Sequence, residues 1–300
     1  MLTESIEEIS APKKEKRRIG WMFGAAWISV LSFCALFAYQ LPFITNYDEK
    51  VKIADRARAY GLGPGARAWL GTDKSSFDVL SRCVYGARLT LLIGVGSTIM
   101  GLFLGGLIGI LGGYFRGRID RVVSIIVDSL LALPPLLLAL LIVYRLDDLK
   151  LKIWFWSITR PWEITITLGI LAIAPLARIT RAQTIVLRER EFVLSARSLG
   201  AKNSRIIFRE LLPNLIPTML TVAFTGLGIL IAAEGALAFL GLGVERPQTW
   251  GRLINIARDD LDLAAWATLF PCLFLLLTVI SFNIIGDHIG RRFDIREATL

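Results

Sequence analysis

The chain has 300 residues, is 54% hydrophobic and carries a formal net charge of +9, with a mean hydropathy of +0.59. An average soluble domain is less apolar and more charged, and here the apolar residues fall in blocks of about 20, the length that crosses roughly 30 Å of hydrocarbon. The basic residues flank those blocks without interleaved base-stacking aromatics, which argues against a nucleic-acid binder and for a protein whose partner is the lipid bilayer.

The polar head, residues 1–19, is too long and too acidic for an ordinary secretory signal and has no small-residue cleavage site, so the first apolar block is expected to be retained. Six spans are predicted, at residues 21–41 (stopped by Pro42), 88–111, 122–144, 164–179, 216–240 and 265–285. Pro134-Pro135, Pro175 and Pro271 fall inside spans; the first pair and Pro271 are expected to kink or break their helices. In the second span Gly101, Gly105, Gly109 and Gly113 recur every fourth residue, one stripe on which a neighbouring backbone can approach closely.

Orientation follows from Lys and Arg. With the N-terminus inside, the cytoplasmic side receives Lys13 to Arg18, Arg116, Arg118, Arg121, the basic run from Arg178 to Arg209, and Arg291, Arg292 and Arg296, more than half of the 34 basic residues. Cationic loops stay inside, so both termini are expected in the cytoplasm.

The longest cytoplasmic loop, residues 181–214, reads as two short amphipathic helices. Ile185, Val193, Ala196 and Leu199 recur at helical spacing in the first, and Gly200 suits its left-handed end. Asn203 or Ser204 is expected to cap the second, which should stop before Pro213. A charged two-helix elbow between spans has the form of a docking surface for a soluble partner.

Two carboxylates, Asp128 and Glu234, lie within predicted spans. A carboxylate at mid-bilayer costs roughly 2.5–3.5 kcal/mol, so each needs a partner or a wet cavity. Glu234 either faces a translocation path, where it meets a cationic group, or makes an interhelical hydrogen bond that fixes packing; Asp128 sits nearer the cytoplasmic end and carries the same two readings. His288, the one histidine, is an interfacial side chain by default. Cys34, Cys83 and Cys272 are scattered without metal-ligand spacing and read as small apolar packers. There is no Walker loop, no His-Glu-x-x-His and no Gly-x-Ser-x-Gly, so a catalytic site and an ATP cradle in this chain are not expected. An intramembrane enzyme would need Asp128 and Glu234 to converge.

The stretch Glu191-Phe-Val-Leu-Ser-Ala-Arg-Ser-Leu-Gly-Ala201, followed by Arg209-Glu-Leu-Leu-Pro-Asn214, resembles the EAA coupling motif of bacterial ABC importer permeases, with Ser195 where Ala is usual. Gly71-Thr-Asp73, Asp78-Val-Leu-Ser-Arg82 and Tyr85-Gly-Ala-Arg88 are similar to the start of the core in the C-type permeases of dipeptide and oligopeptide importers. Here Ser76-Phe77 stands where Gly-Arg is usual. Asp128-Ser-Leu-Leu-Ala-Leu-Pro134, the run Glu234 to Gly243 with Pro247 and Trp250-Gly251, and Gly286-Asp287 with Asp294-Ile-Arg296 (Ile295 for the common Pro) complete the resemblance over about residues 70–296.

The resemblance implies an all-α membrane protein with the type I ABC importer permease fold: six transmembrane helices and cytoplasmic coupling helices. It divides the chain into an N-terminal tail, first helix and outer loop (1–85), a five-helix transporter core (86–287) and a cytoplasmic tail (288–300). The implied function is the membrane permease subunit of an ATP-driven peptide importer in the cytoplasmic membrane of a bacterium. Glu191, Ser195, Ala196, Arg197, Gly200, Ala201, Arg205 and Pro213 are then the residues of ATPase coupling, with small side chains letting the elbow sit in a cleft of the ATPase. Implied partners are a homologous B-type permease, two ABC ATPases that bind ATP and Mg²⁺, and an extracytoplasmic binding protein that docks on loops 42–85 and 244–264; no cofactor is implied in this chain. Importers of nickel, glutathione and opines share these signatures, and a proton-driven transporter is the alternative of another class.

Overall fold

The computed structural model describes residues 14–51, 61–66, 68–149, 152–153, 156–157 and 159–297. The tail residues 1–13 and the loop segment 52–60 of the expected N-terminal unit lie outside them. The described residues are mostly helical, with turns and isolated bridges over 37–78 and a two-residue antiparallel pair, β1 (Lys152–Ile153) with β2 (Trp156–Ser157).

Helix α1 (Lys14–Leu36) is apolar only over Gly20–Leu36, about 25 Å at 1.5 Å per residue and short of the hydrocarbon thickness. The expected span 21–41 is therefore corrected: residues 37–40 turn away from the helix well before Pro42. Asp78 caps α2 (Val79–Phe115) by accepting from the Ser81 amide at 2.9 Å. The helix ends where Arg116 and Gly117 both adopt positive φ, 52° and 64°. That pair turns the chain into α3 (Gly117–Ala132), which leads to α4 (Pro135–Leu149).

The expected third span, 122–144, is not one helix. α3 and α4 are bent by 97° at Pro134-Pro135. Two adjacent prolines remove two amide donors and clash with the preceding turn, so the ladder cannot bridge them. Pro175 and Pro271, by contrast, lie within the unbroken helices α5 (Arg160–Leu187) and α11 (Trp266–Glu297). α5 extends past both its expected limits, 164–179, and α11 runs past the expected end at 285.

Between α5 and the next span lies α6 (Glu191–Ser198), then a short turn, α7 (Asn203–Arg205). The second elbow helix does not stop at Pro213. A π-helical stretch, Ile206–Leu211, joins it directly to α8 (Leu212–Leu237). The wider turn bonds the Leu212 amide to the Ile207 carbonyl and carries the chain past a proline that has no amide to donate. The expected caps are also corrected: Lys202 occupies the capping position, and Asn203 Oδ1 instead accepts from the Tyr114 hydroxyl at 2.8 Å. Beyond α8 a second π-helical stretch, Ala238–Leu242, leads to α9 (Trp250–Ala257), a short 3-10 turn, α10 (Leu261–Ala264) and α11.

Among the described residues, four helical runs are long and apolar enough to cross a membrane, and the bent α3–α4 pair makes a fifth if it forms one span. The bundle is organised around α2 and α5. A Cβ on Gly101, Gly105, Gly109 or Gly113 would lie 2.5, 2.7, 2.6 or 2.7 Å from Ala172 Cβ, Ile173 O, Ala177 O or Thr184 Cβ. The four-residue stripe thus meets one face of α5 at van der Waals contact, as its spacing predicts. α1 packs on α11, where Trp27 Nε1 donates to Thr278 Oγ1 at 3.0 Å.

Candidate coupling elbow and membrane cavities

The elbow is fixed to the bundle by its apolar face. Val193, Ile206, Leu211 and Leu215 are buried against Ile110, Tyr114 and Met219, the ends of α2 and α8. Full burial of each aliphatic side chain contributes about 1.5–3 kcal/mol, so the elbow moves with those helices rather than swinging freely. Arg188 donates to the Tyr114 carbonyl and holds the root of the elbow.

The opposite face is open. Glu191, Ser195, Arg197, Gly200, Arg205 and Pro213 are exposed, while Ala196 and Ala201 are half-buried against the apolar anchor. Gly200 has φ 81°, and no other atom lies within 4 Å of the Cβ it lacks. Its glycine is required by backbone conformation; intrachain crowding plays no part. The eight residues singled out from the sequence therefore lie along one short segment. Two readings of the first elbow helix are corrected: Ile185 belongs to α5, and Leu199, expected on the apolar face, is the exposed residue that ends α6; Phe208 was missed. Leu199 is 89% exposed and Phe208 65% exposed, large apolar groups facing water on the same elbow. The signal for Phe208 was available: an apolar residue on a charged loop, beyond the positions needed to anchor it.

Three ion pairs tie α3 and its leading turn to α5 and the elbow: Arg116 with Glu189, Asp120 with Arg181, and Asp128 with Arg178. Arg181 grips Asp120 through two nitrogens, the second at 2.9 Å. Asp128 is thus partnered, at 3.1 Å, and exposed. Glu234 is different. It is fully buried on α8, neither carboxyl oxygen makes a standard hydrogen bond, and its polar neighbour is the buried Thr249 hydroxyl at the start of α9. The two carboxylates share no partner, and neither lines any of the three cavities described next.

An apolar cavity of about 550 Å³ opens between the α3–α4 break, α5 and α8, lined by Leu130, Pro135, Leu138, Ile170 and Ala233 among others. A polar cavity of about 770 Å³ lies at the other ends of α5 and α8, where Asp147, Arg160, Glu245, Arg246 and Arg252 converge. A smaller one of about 210 Å³ sits between the 73–82 segment and α9–α11. Arg82 borders it, buried between the rings of Tyr47 and Phe77 at 4.1 and 3.9 Å, with its NH1 donating to Gln248 at 2.9 Å. No cluster of His, Cys, Asp and Glu among the described residues has the form of a metal site.

A multi-span bundle with a rigidly anchored, outward-facing elbow is the architecture of a membrane subunit driven by a soluble one. The family model of the binding-protein-dependent transport system inner membrane component matches residues 86–295, and the chain belongs to that family. It is a multi-pass inner-membrane protein of the ABC importer permease type. It is 37% identical over 233 residues to the dipeptide transport system permease protein DppC of Alkalihalophilus pseudofirmus, covering 77% of this chain and 73% of that one. It is 33% identical over 272 residues to the glutathione transport system permease protein GsiD of Pectobacterium atrosepticum, covering 90% and 85%. Its fold is similar to that of a chain of the MetNI methionine ABC transporter in an inward-facing conformation, with a TM-score of 0.58, 20% identity, and coverage of 71% of this chain and 96% of that one.

Proposed function

We propose that this chain is the C-type permease of an ATP-driven importer of short peptides. It pairs with a homologous B-type permease, and two ABC ATPases on the cytoplasmic side bind ATP and Mg²⁺ and hydrolyse the nucleotide. An extracytoplasmic binding protein delivers substrate to the outer loops, and both termini lie in the cytoplasm. The peptide reading is favoured by the dipeptide-permease relatives and by the C-type signatures; the glutathione-permease relatives favour a second reading, itself a modified tripeptide.

The observation that carries the coupling role is the two-sided elbow. One face is packed into the ends of α2 and α8; the other presents Glu191, Ser195, Arg197, Leu199 and Gly200. When the ATPases close, a docked elbow is displaced with them, and its buried anchor passes the displacement to the helices that bound the apolar cavity. Coupling needs no catalytic group in this chain. A photo-crosslinking amino acid placed at Leu199 in the assembled transporter is expected to label an ATPase subunit, while the same group at Phe33, exposed on α1, does not. Absence of ATPase labelling from Leu199 would refute the docking role.

A further inference from the structure

The apolar cavity offers three threonine hydroxyls, Thr98, Thr221 and Thr225, and no ionisable side chain. A peptide has a charged carboxylate and a charged ammonium, and nothing in that cavity distinguishes them. Recognition of the charged ends belongs at the polar cavity above it, where the charges are not equivalent. Arg160 is neutralised by Glu163 at 3.0 Å and Asp147 at 3.7 Å, and Arg246 by Asp48 at 3.5 Å. Arg252 has no carboxylate within 4.0 Å among the described residues. Its NH1 donates to Asn255 Oδ1 at 3.1 Å, and its Nε is shut off from water with no acceptor. Glu245 is also unpaired, but it is exposed, so water already solvates its charge.

The guanidinium is half-buried at the cavity wall and its charge has no carboxylate partner among the described residues, so an arriving anion would meet its open nitrogens, not the closed Nε, and would gain a charge-assisted hydrogen bond there. The guanidinium is also held in place. Its Nη1 donates to the Asn255 side chain, whose amide donates in turn to the Phe239 carbonyl, while the Arg252 backbone is fixed by donating to the buried Thr249 hydroxyl at 3.4 Å in the first turn of α9. A fixed, unneutralised fork donor lining a polar mouth matches a carboxylate. We infer that Arg252 is a specificity-determining residue that receives the α-carboxylate of the peptide at the outer mouth of the transport path. This rests on the peptide-importer reading and on the outward placement of the α9 side.

The test uses the purified, complete transporter without its binding protein, so that the binding protein's own preferences do not enter. Binding of dialanine and of dialanine amide is measured by saturation-transfer NMR, which reads weak ligands. The wild type is expected to bind the free acid about tenfold more tightly than the amide, the worth of one charge-assisted hydrogen-bond set. Arg252→Gln should erase that preference while leaving amide binding unchanged, which reports an intact site, and Arg252→Lys should restore part of it. A wild type that binds neither ligand, or binds both equally, overturns the inference. So does an Arg252→Gln variant that keeps the preference or weakens both ligands equally, the pattern of a structural arginine or one that meets an acidic side chain of the binding protein. Peptide uptake by the wild type with its binding protein is measured in parallel: uptake without acid selectivity at this site refutes the inference alone, and absence of peptide uptake refutes the peptide reading beneath it.

Discussion

Ser76 shows how a residue can be read in sequence without its reason being visible. It stands where similar permeases usually have Gly, and the structure gives it φ 70°, full burial and a hydroxyl with no partner. Left-handed backbone costs a non-glycine residue about 1–2 kcal/mol, and an unpaired buried hydroxyl adds to that. The extra chain entropy of glycine offsets roughly 0.5–1 kcal/mol. Ser76→Gly should therefore stabilise the protein by about 1 kcal/mol net, read as a higher melting temperature in detergent; an unchanged or lower value would contradict the strain. The neighbouring departure, Phe77, acquires a role the sequence did not disclose, as one of two rings enclosing Arg82. In the same loop, burial pushes the Asp73 carboxyl above its ordinary 3.8, against the opposing bonds from the Phe77 and Ser75 amides. A carboxyl raised on folding contributes stability that is present below the unfolded value and lost as pH rises through the folded one. Asp73→Asn should remove that part of the pH dependence, so the difference in melting temperature between variant and wild type should grow in the variant's favour as pH rises from about 4 to about 7. A constant difference would exclude this role.

The helices were legible wherever local pattern and tertiary packing agree. The glycine stripe is the clearest case: a spacing of four on one helix required a close neighbour, and α5 is that neighbour. Gly105→Leu would drive a side chain into the Ile173 carbonyl, already 2.7 Å from the missing Cβ. Such overpacking costs typically 1–3 kcal/mol, and the variant should lose folded yield in detergent while Gly226→Leu, with open space at its Cβ, does not. What escaped the sequence was helix direction and termination. Pro134-Pro135 announces a break within residues 122–144, but hydropathy does not show its angle, 97° between α3 and α4. Nor does it show that a π-helical stretch lets a helix run through Pro213, or that α1 ends at Leu36. Ion pairs such as Arg181 with Asp120, 61 residues apart, join segments whose proximity depends on the fold, and no local spacing encodes them.

For the whole molecule, the elbow was legible because it is polar where its surroundings are apolar, and its small residues and Gly200 sit at fixed intervals. The transport path was less so. Glu234, chosen as a buried charge in a span, is enclosed between α8 and the start of α9, whereas the charges that face a cavity, Arg252 among them, lie in short helices, helix ends and loops of ordinary composition. The central claim is that ATP hydrolysis on separate subunits moves substrate through this chain by way of the elbow. The most direct test is ATP-driven peptide uptake by the reconstituted transporter carrying Gly200→Val, compared with wild type at equal membrane insertion. A β-branched residue at φ 81° forces the elbow out of its conformation, so uptake should fall to background while the ATPase subunits still hydrolyse ATP. Full uptake by Gly200→Val, or uptake by the wild type that persists without ATP and collapses with the proton gradient, would contradict it.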